Sequence, residues 1–277
     1  MELPYIICDP TGNITALVTA PVPRSSQAAA AAALMRAVPS VEQVGFLEVP
    51  AAPEARVRLQ MMGGEFCGNA SMSAAAFLAG RDGLAAGESA GLPLEVSGAE
   101  GLVVCRIENT GETFRGTVSM PLPEAVETAV LPLADGGALR VPTVRFPGIV
   151  HCVVPAAAMT RAAAEAVVRP VFAELCASLR TEACGVLLYD EAGGSFTPLV
   201  YVAGTGTAVW ESGCGSGTAA IGAWEAWRSP PSHAGRTLAL RQPGGTMEVR
   251  CAMENGRFRS LRITGNVRIA GEGLLNW

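Results

Sequence analysis

No lysine occurs anywhere in the 277 residues, and all 20 basic residues are arginine. Pyridoxal phosphate enzymes hold their cofactor through a lysine Schiff base, and the G-x-x-x-x-G-K-[ST] phosphate loop depends on its lysine. Both classes fall away, so any amino-acid chemistry has to proceed without pyridoxal. Histidine is nearly absent too, with two residues, and the eight cysteines contain no C-x-x-C pair. That pattern argues against zinc and iron–sulfur centres and leaves no readable disulfide framework. Charge is sparse: 16% of residues carry one, and the net charge of −5 is spread without acidic or basic blocks. Such a distribution suits neither a phosphate backbone nor an anionic membrane, so the expected partner is a small polar molecule. A homodimer is compatible with it. The alanine run Ala28 to Ala33 is too short and too weakly apolar to span a bilayer. Met1 to Tyr5 lacks the basic start and apolar run of a signal peptide, and the expected setting is cytoplasmic, with reduced thiols.

What the chain does have is apolar bulk. Hydrophobic residues make up 49%, enough for one large core or two of ordinary domain size. Short β-like segments bounded by Gly, Pro or Asn recur at 5–7, 14–19, 45–49, 57–61, 94–96, 102–107 and 117–120. Helical composition occurs at 25–37, where Ser25 or Ser26 is the expected cap, and at 71–79. Met120-Pro121-Leu122-Pro123 marks the expected boundary. Beyond it the order repeats, with strands at 139–146 and 149–154, a helix over 159–179, and strands at 185–189 and 199–202. A helix at 218–228 follows, then strands at 237–241, 247–252 and 257–265. The expected domains are 1–120 and 121–277, with residues from about 266 onward able to return to the first.

Two of the cysteines stand in matching contexts. Cys67 lies in Gly64-Glu65-Phe66-Cys67-Gly68-Asn69-Ala70 and Cys214 in Glu211-Ser212-Gly213-Cys214-Gly215-Ser216-Gly217-Thr218, each running into an alanine-rich stretch. The other six, Cys8, Cys105, Cys152, Cys176, Cys184 and Cys251, read as small buried hydrophobes. A thiol at a helix start is favoured as thiolate by unpaired backbone N–H groups and the helix dipole. The glycine after each cysteine lets an N–H approach an anion without a side chain in the way. Gly68 and Asn69 in one segment, and Gly215 and Ser216 in the other, are therefore placed to hold a carboxylate and to stabilise the charge that develops when an α-proton leaves. With an ordinary thiol pKa of about 8.5, lowered at a helix N-terminus, one cysteine starts as thiolate and the other as thiol. One abstracts a proton, the other returns one, and turnover swaps their states.

At these residues the chain resembles the diaminopimelate epimerase-like family of pyridoxal-independent amino-acid racemases and epimerases. Thr11-Gly12-Asn13 is similar to its early Gly-Asn segment, Cys67-Gly68-Asn69 and Cys214-Gly215-Ser216-Gly217-Thr218 to its two cysteine motifs, and Pro147-Gly148-Ile149-Val150-His151 to its Gly-Asn-Pro-His segment. Within the family the likeness is greatest to the histidine racemases of staphylopine-type metallophore synthesis. It is carried by Gly12-Asn13-Ile14-Thr15, Glu42-Gln43-Val44-Gly45-Phe46, Trp210-Glu211 and Gln242-Pro243-Gly244-Gly245 besides the cysteine segments. The resemblance implies an α/β (α+β) protein of two pseudo-symmetric domains, each a mixed or antiparallel sheet or barrel around a central helix, with the active site in the cleft between them. It implies Cys67 and Cys214 as the catalytic pair, carboxylate contacts from Gly68, Asn69, Gly215 and Ser216, a substrate contact from Asn13, no cofactor and no metal, and histidine as substrate. Diaminopimelate fits poorly, because Ile149 stands where the family has a substrate-binding asparagine and Ala203 to Thr207 contains no arginine. A proline or hydroxyproline racemase typically continues its first cysteine with Gly-His, not Gly68-Asn69. A non-catalytic amino-acid-binding module of the same fold is a third reading.

Several residues admit two readings. His151 is either a substrate contact or a satisfied core histidine. Glu42 either reaches the substrate side chain or is an ordinary polar residue. Glu211 and Glu65 each either bind an α-ammonium or tune a thiol, or are solvated loop charges. Trp210 packs or walls a pocket, and Gly204-x-Gly206, lacking the rest of a dinucleotide fingerprint, reads as a turn.

Overall fold

The structure, a computed structural model, describes residues 2–229 and 235–277. The first half of the chain forms β1 (Glu2–Pro10), β2 (Thr15–Val18), α1 (Arg24–Ala37), β3 (Gln43–Glu48), β4 (Arg58–Met61), α2 (Gly68–Arg81), β5 (Ser89–Val96), β6 (Leu102–Asn109) and β7 (Phe114–Ser119). The remainder forms β8 (Ala125–Pro132), β9 (Ala138–Phe146), β10 (Ile149–Pro155), α3 (Arg161–Ala163), α4 (Phe172–Leu179), β11 (Ala183–Asp190), β12 (Ser195–Val202) and β13 (Thr207–Trp210). After these come α5 (Gly215–Arg228), β14 (Thr237–Gln242), β15 (Gly245–Glu254) and β16 (Arg257–Asn276). Two compact units result, one of residues up to Ser119 together with Ile263–Trp277, the other Met120–Arg262.

In the first unit the strands follow the order β1-β2-β3-β4-β5-β6-β7-β16, and β16 pairs β1 as well, so the strands form a ring. The β1–β16 ladder is antiparallel and shifts register at Ile7/Cys8, where a bulge adds local twist. Parallel neighbours (β2–β3, β4–β5) alternate with antiparallel ones. Helix α2 contacts β1, β2, β5, β6 and β7. Eleven of its 14 residues, Gly68 to Ala76 with Leu78 and Ala79, are buried. Alanine, serine and glycine make that burial feasible, because small side chains let strands approach on several faces.

In the second unit the order is β8-β9-β10-β11-β12-β14-β15-β16, with β13 added to β12. Antiparallel ladders dominate, and β10–β11 is parallel. Helix α5 packs chiefly on β15 and also meets β9 and β10. Its closest approach is at Gly222, where a Cβ would fall 2.3 Å from Val249 Cγ2.

Three local expectations are corrected. Helix α1 begins at Arg24, with Pro23 at its N-cap and no side-chain cap, so Ser25 and Ser26 are helical residues and not caps. Proline's fixed φ and its carbonyl, which accepts from Ser26 N–H at 2.8 Å, set the start instead. The segment 159–179 is not one helix: Thr160 caps α3, residues Ala164–Val168 wind as a π turn and Arg169–Val171 as a 3₁₀ turn, and α4 then ends at Arg180 in the left-handed region. Pro170, which lacks an N–H and clashes with the preceding turn, accounts for the interruption. Strands β8 and β13 were not expected from the sequence. Residues 203–206 form a turn.

Candidate active site

Both helices start earlier than their composition suggests. Cys67 is the N-cap of α2 and Cys214 the N-cap of α5, both in extended backbone, so the first helical residues are Gly68 and Gly215. Glycine and asparagine are weak helix formers, and the first turn is therefore hidden from a reading of propensity. Each sulfur accepts a backbone N–H from three residues on, Ala70 N to Cys67 Sγ at 3.4 Å and Gly217 N to Cys214 Sγ at 3.2 Å. The amides of Gly68 and Gly215 belong to the first turn, where no intrahelical acceptor exists.

The surroundings of Cys67 are built by the β1–β2 connection, the start of β3 and the β5–β6 turn. Thr11 and Gly12 have positive φ (58° and 91°), and Asp9 Oδ1 accepts the Gly12 N–H at 2.7 Å, a tight turn that delivers Asn13. Sheet register pairs Thr15 with Gln43. Gln43 Nε2 donates to Asn13 Oδ1 at 2.6 Å and to Thr15 Oγ1 at 2.7 Å, which leaves its Oε1 to accept the Cys67 thiol at 3.1 Å. Asn69 Nδ2 donates to Asn13 Oδ1 at 3.1 Å, and Asn13 Nδ2 donates to Glu42 Oε2 at 2.7 Å. Asn13, Glu42, Cys67 and Asn69 thus form one hydrogen-bonded group, knitted together by Gln43. Burial raises the Glu42 carboxyl above its ordinary range, against the lowering effect of the Asn13 bond. Beneath the cysteine, Ser97 Oγ accepts from Met61 N–H at 2.9 Å and donates to the Glu65 carbonyl at 2.8 Å. A Cβ on Gly98 (φ +69°) would stand 2.4 Å from Phe66 N.

Around Cys214 the framework is different. Gln242 Oε1 accepts the Cys214 backbone N–H at 2.6 Å, and its Nε2 donates to Thr218 Oγ1 at 2.9 Å. Thr218 Oγ1 in turn donates to the Cys214 carbonyl at 2.8 Å. Ser216 Oγ lies 3.5 Å from Cys214 Sγ and 2.9 Å from His151 Nε2. His151 is fully buried on β10, opposite Gly185 of β11. Burial lowers its pKa to about 3, so the ring is neutral. Its Nδ1 has no hydrogen-bond partner among the described residues. An unpaired acceptor is tolerated better than an unpaired donor, so we assign the proton to Nε2. The direction then runs from His151 N–H to Ser216 oxygen and from the Ser216 hydroxyl to the Cys214 sulfur. Gly185 is what admits the imidazole, since a Cβ there would sit 2.2 Å from Nδ1. The Glu211 carboxylate also acts on Cys214, first by its charge and then by side-chain hydrogen bonding, and both raise the thiol.

The thiols are not poised as their helix positions alone predict. Burial, the largest influence, pushes Cys67 up to about 11, while the Ala70 and Asn69 amides and Gln43 pull it down and the Glu65 charge adds to the rise. Cys214 is also raised well above its ordinary value, by burial and then by the Glu211 carboxylate, against Ser216 and the Gly217 amide. Desolvation of a thiolate outweighs one turn of helix dipole. Alkylation of Cys67 by iodoacetamide, followed by peptide mass spectrometry, is therefore expected to accelerate about tenfold per pH unit from about pH 7 to about pH 10. A plateau near pH 8 would contradict a raised thiol. The other six cysteines are buried. Among the described residues, no group of three or more His, Cys, Asp or Glu side chains is placed to hold a metal ion.

The sequence model of the histidine racemase CntK N-terminal domain matches residues 2–276. The chain belongs to this family. The histidine racemase of Staphylococcus aureus (strain Mu50) is 31% identical over 246 residues, 87% of this chain and 85% of that protein. The histidine racemase of Fusobacterium nucleatum (strain ATCC 25586) is 28% identical over 277 residues, 98% of this chain and 95% of that one. A crystal structure of a hydroxyproline epimerase from Agrobacterium vitis superposes with a TM-score of 0.73 at 16% identity, covering 99% of this chain and 92% of that chain, and shows a shared fold. This chain is accordingly an isomerase, an amino-acid racemase acting on a small molecule. Among the described residues, no helix is long and apolar enough to cross a membrane.

Sequence reasoning missed three residues that the structure makes important. Gln43 and Gln242 each anchor one cysteine, and Gly185 makes room for His151. Glutamine carries no motif signal by itself; the only hint lay in the family-like segments that contain Gln43 and Gln242.

Proposed function

We propose that the chain racemises histidine without a cofactor, with Cys67 and Cys214 as the two acid–base groups. The observation that carries the reading is the duplicated construction: in each unit a cysteine caps the buried helix, its sulfur accepts the N–H three residues on, and the first-turn amides of Gly68 and Asn69 or Gly215 and Ser216 follow it directly in the chain. One thiolate takes the α-proton, and the electrons of the broken C–H bond move into the carboxylate-stabilised carbanion. The opposite thiol then gives its proton to the other face, leaving the pair with exchanged protonation. The first-turn amides and Asn13 hold the substrate carboxylate, where a helix N-terminus stabilises the growing negative charge.

A thiolate has to be generated despite the raised pKa values. Cys214 can pass its proton to Glu211, while the Ser216 hydroxyl and Gly217 N–H donate to the sulfur left behind. His151 fixes the Ser216 hydroxyl and stays neutral. Glu42, oriented by Asn13, is placed in this reading to accept an imidazole N–H, which favours histidine over diaminopimelate, whose distal group is a carboxylate. Both the family and the two histidine racemase relatives support this substrate. D-histidine for a metal-chelating small molecule is the product.

The test is incubation of the reduced protein with a panel of L-amino acids in deuterated water. D-histidine should accumulate with one deuterium at Cα. Turnover of a different amino acid with histidine inert would refute the substrate.

A further inference from the structure

Strand β13 is four residues long and pairs with β12 from Leu199↔Trp210 to Val202↔Thr207. So short a strand is marginal by itself, yet it leads straight into the Cys214 loop. The Glu211 N–H donates to the Pro198 carbonyl at 3.0 Å, and the Glu211 carboxylate is near enough to Cys214 to raise its thiol by charge and by hydrogen bonding. Wherever β13 goes, that carboxylate goes with it.

Side chains from the interrupted helical stretch grip this strand. Arg169 Nη1 donates to the Ala208 carbonyl at 2.6 Å. Its Nε and Nη2 engage both oxygens of Glu165, the latter at 2.9 Å. The Trp210 indole N–H donates to the same Glu165 carboxylate, and the Arg161 guanidinium lies 4.7 Å from the Trp210 ring centroid. Glu165 lies in the π turn, a winding that recurs where function demands a particular side-chain direction. The Arg169–Glu165 pair is about a third exposed (34% and 39%), so it adds little to global stability. Two parallel N–H···O bonds and a shared indole nonetheless fix direction well.

We propose that Arg169, Glu165 and Trp210 are positioning residues: they clamp β13 so that Glu211 is held against Cys214. The proposal rests on the two-cysteine reading for its catalytic consequence, and its first readout requires no turnover. Arg169→Met removes the clamp, and Trp210→Phe keeps the ring against Arg161 while deleting the indole N–H. In each variant, alkylation of Cys214 and Cys67 by iodoacetamide is followed by peptide mass spectrometry at one fixed alkaline pH, and kcat and KM for racemisation are measured alongside.

With the clamp released, the carboxylate no longer opposes a Cys214 thiolate and the loop opens. Cys214 alkylation should rise roughly fivefold in Arg169→Met, and by a smaller factor in Trp210→Phe, while Cys67 stays unchanged. kcat should fall by a similar factor, with KM within about twofold of wild type. Cys214 alkylation within about twofold of wild type in both variants would overturn the clamp. So would a parallel rise at Cys67, which would mark general loosening. Should wild-type protein fail to racemise any amino acid, the catalytic reading falls while the Cys214 alkylation result still decides the clamp.

Discussion

Serine in place of either Cys67 or Cys214 is expected to lower kcat for racemisation by roughly 10²- to 10⁴-fold in both directions, the range associated with loss of a general acid or base. The substitution is informative because it separates chemistry from folding. Each cysteine caps a helix by accepting the N–H three residues on, Ala70 for Cys67 and Gly217 for Cys214. Serine is among the best N-cap residues, so α2 and α5 should form as well or better. What serine cannot do is exchange a proton near neutral pH, since an alcohol is a far weaker acid than a thiol. Circular dichroism and thermal unfolding should be unchanged while chiral chromatography shows the product enantiomer forming at the reduced rate. Full activity in either single variant would end the two-base scheme.

Gly185→Ala is expected to have the second largest effect, and at a residue that touches neither sulfur. Its new Cβ would lie 2.2 Å from His151 Nδ1 and 2.7 Å from Cε1, within a fully buried stretch where Cys184, Val186 and His151 have no solvent-accessible surface. The ring has to move, and with it goes the 2.9 Å bond to Ser216. Overpacking of this kind costs about 1–3 kcal/mol of stability. Loss of the oriented Ser216 hydroxyl at the Cys214 sulfur should reduce kcat roughly 10²-fold, as when one donor to a developing anion is removed. Urea unfolding gives the first quantity and the racemisation assay the second. An alanine variant of wild-type stability and rate would mean that His151 and Ser216 do not set the state of Cys214.

Several features could be read in advance. The absence of lysine directs amino-acid chemistry away from pyridoxal, and the Cys-Gly repetition picks out Cys67 and Cys214 from eight cysteines. The positions of strands and alanine-rich helices followed from composition and turn punctuation, and their arrangement around a central helix from the family resemblance. Other features resisted. The first turns of α2 and α5 were invisible because Gly68, Asn69, Gly215 and Ser216 are poor helix formers that a cap and a sheet nevertheless hold in place. The broken stretch 161–171 was read as one helix because alanine and valine suggest continuity, while Pro170 and the anchoring of Arg169 on β13 enforce the opposite.

Chemistry at the cysteines divides in the same way. Residue type and local spacing determine that two thiols stand at helix starts with glycine beside them, since those are properties of neighbours in the chain. Their proton affinity is a tertiary outcome. The helix N-terminus lowers a thiol pKa, and sequence shows that much, but burial of Cys67 and Cys214 raises it by more, and burial depends on which strands enclose the helix. Likewise, Gln43 meets Cys67 because register pairs it with Thr15, Gln242 meets Cys214 from the end of β14, and Gly185 lies beside His151 across a parallel ladder. Sequence alone singled out the two sulfur atoms of the proposed mechanism. Sheet register and desolvation, which arise between residues far apart in the chain, decided what holds those atoms and how tightly they keep their protons.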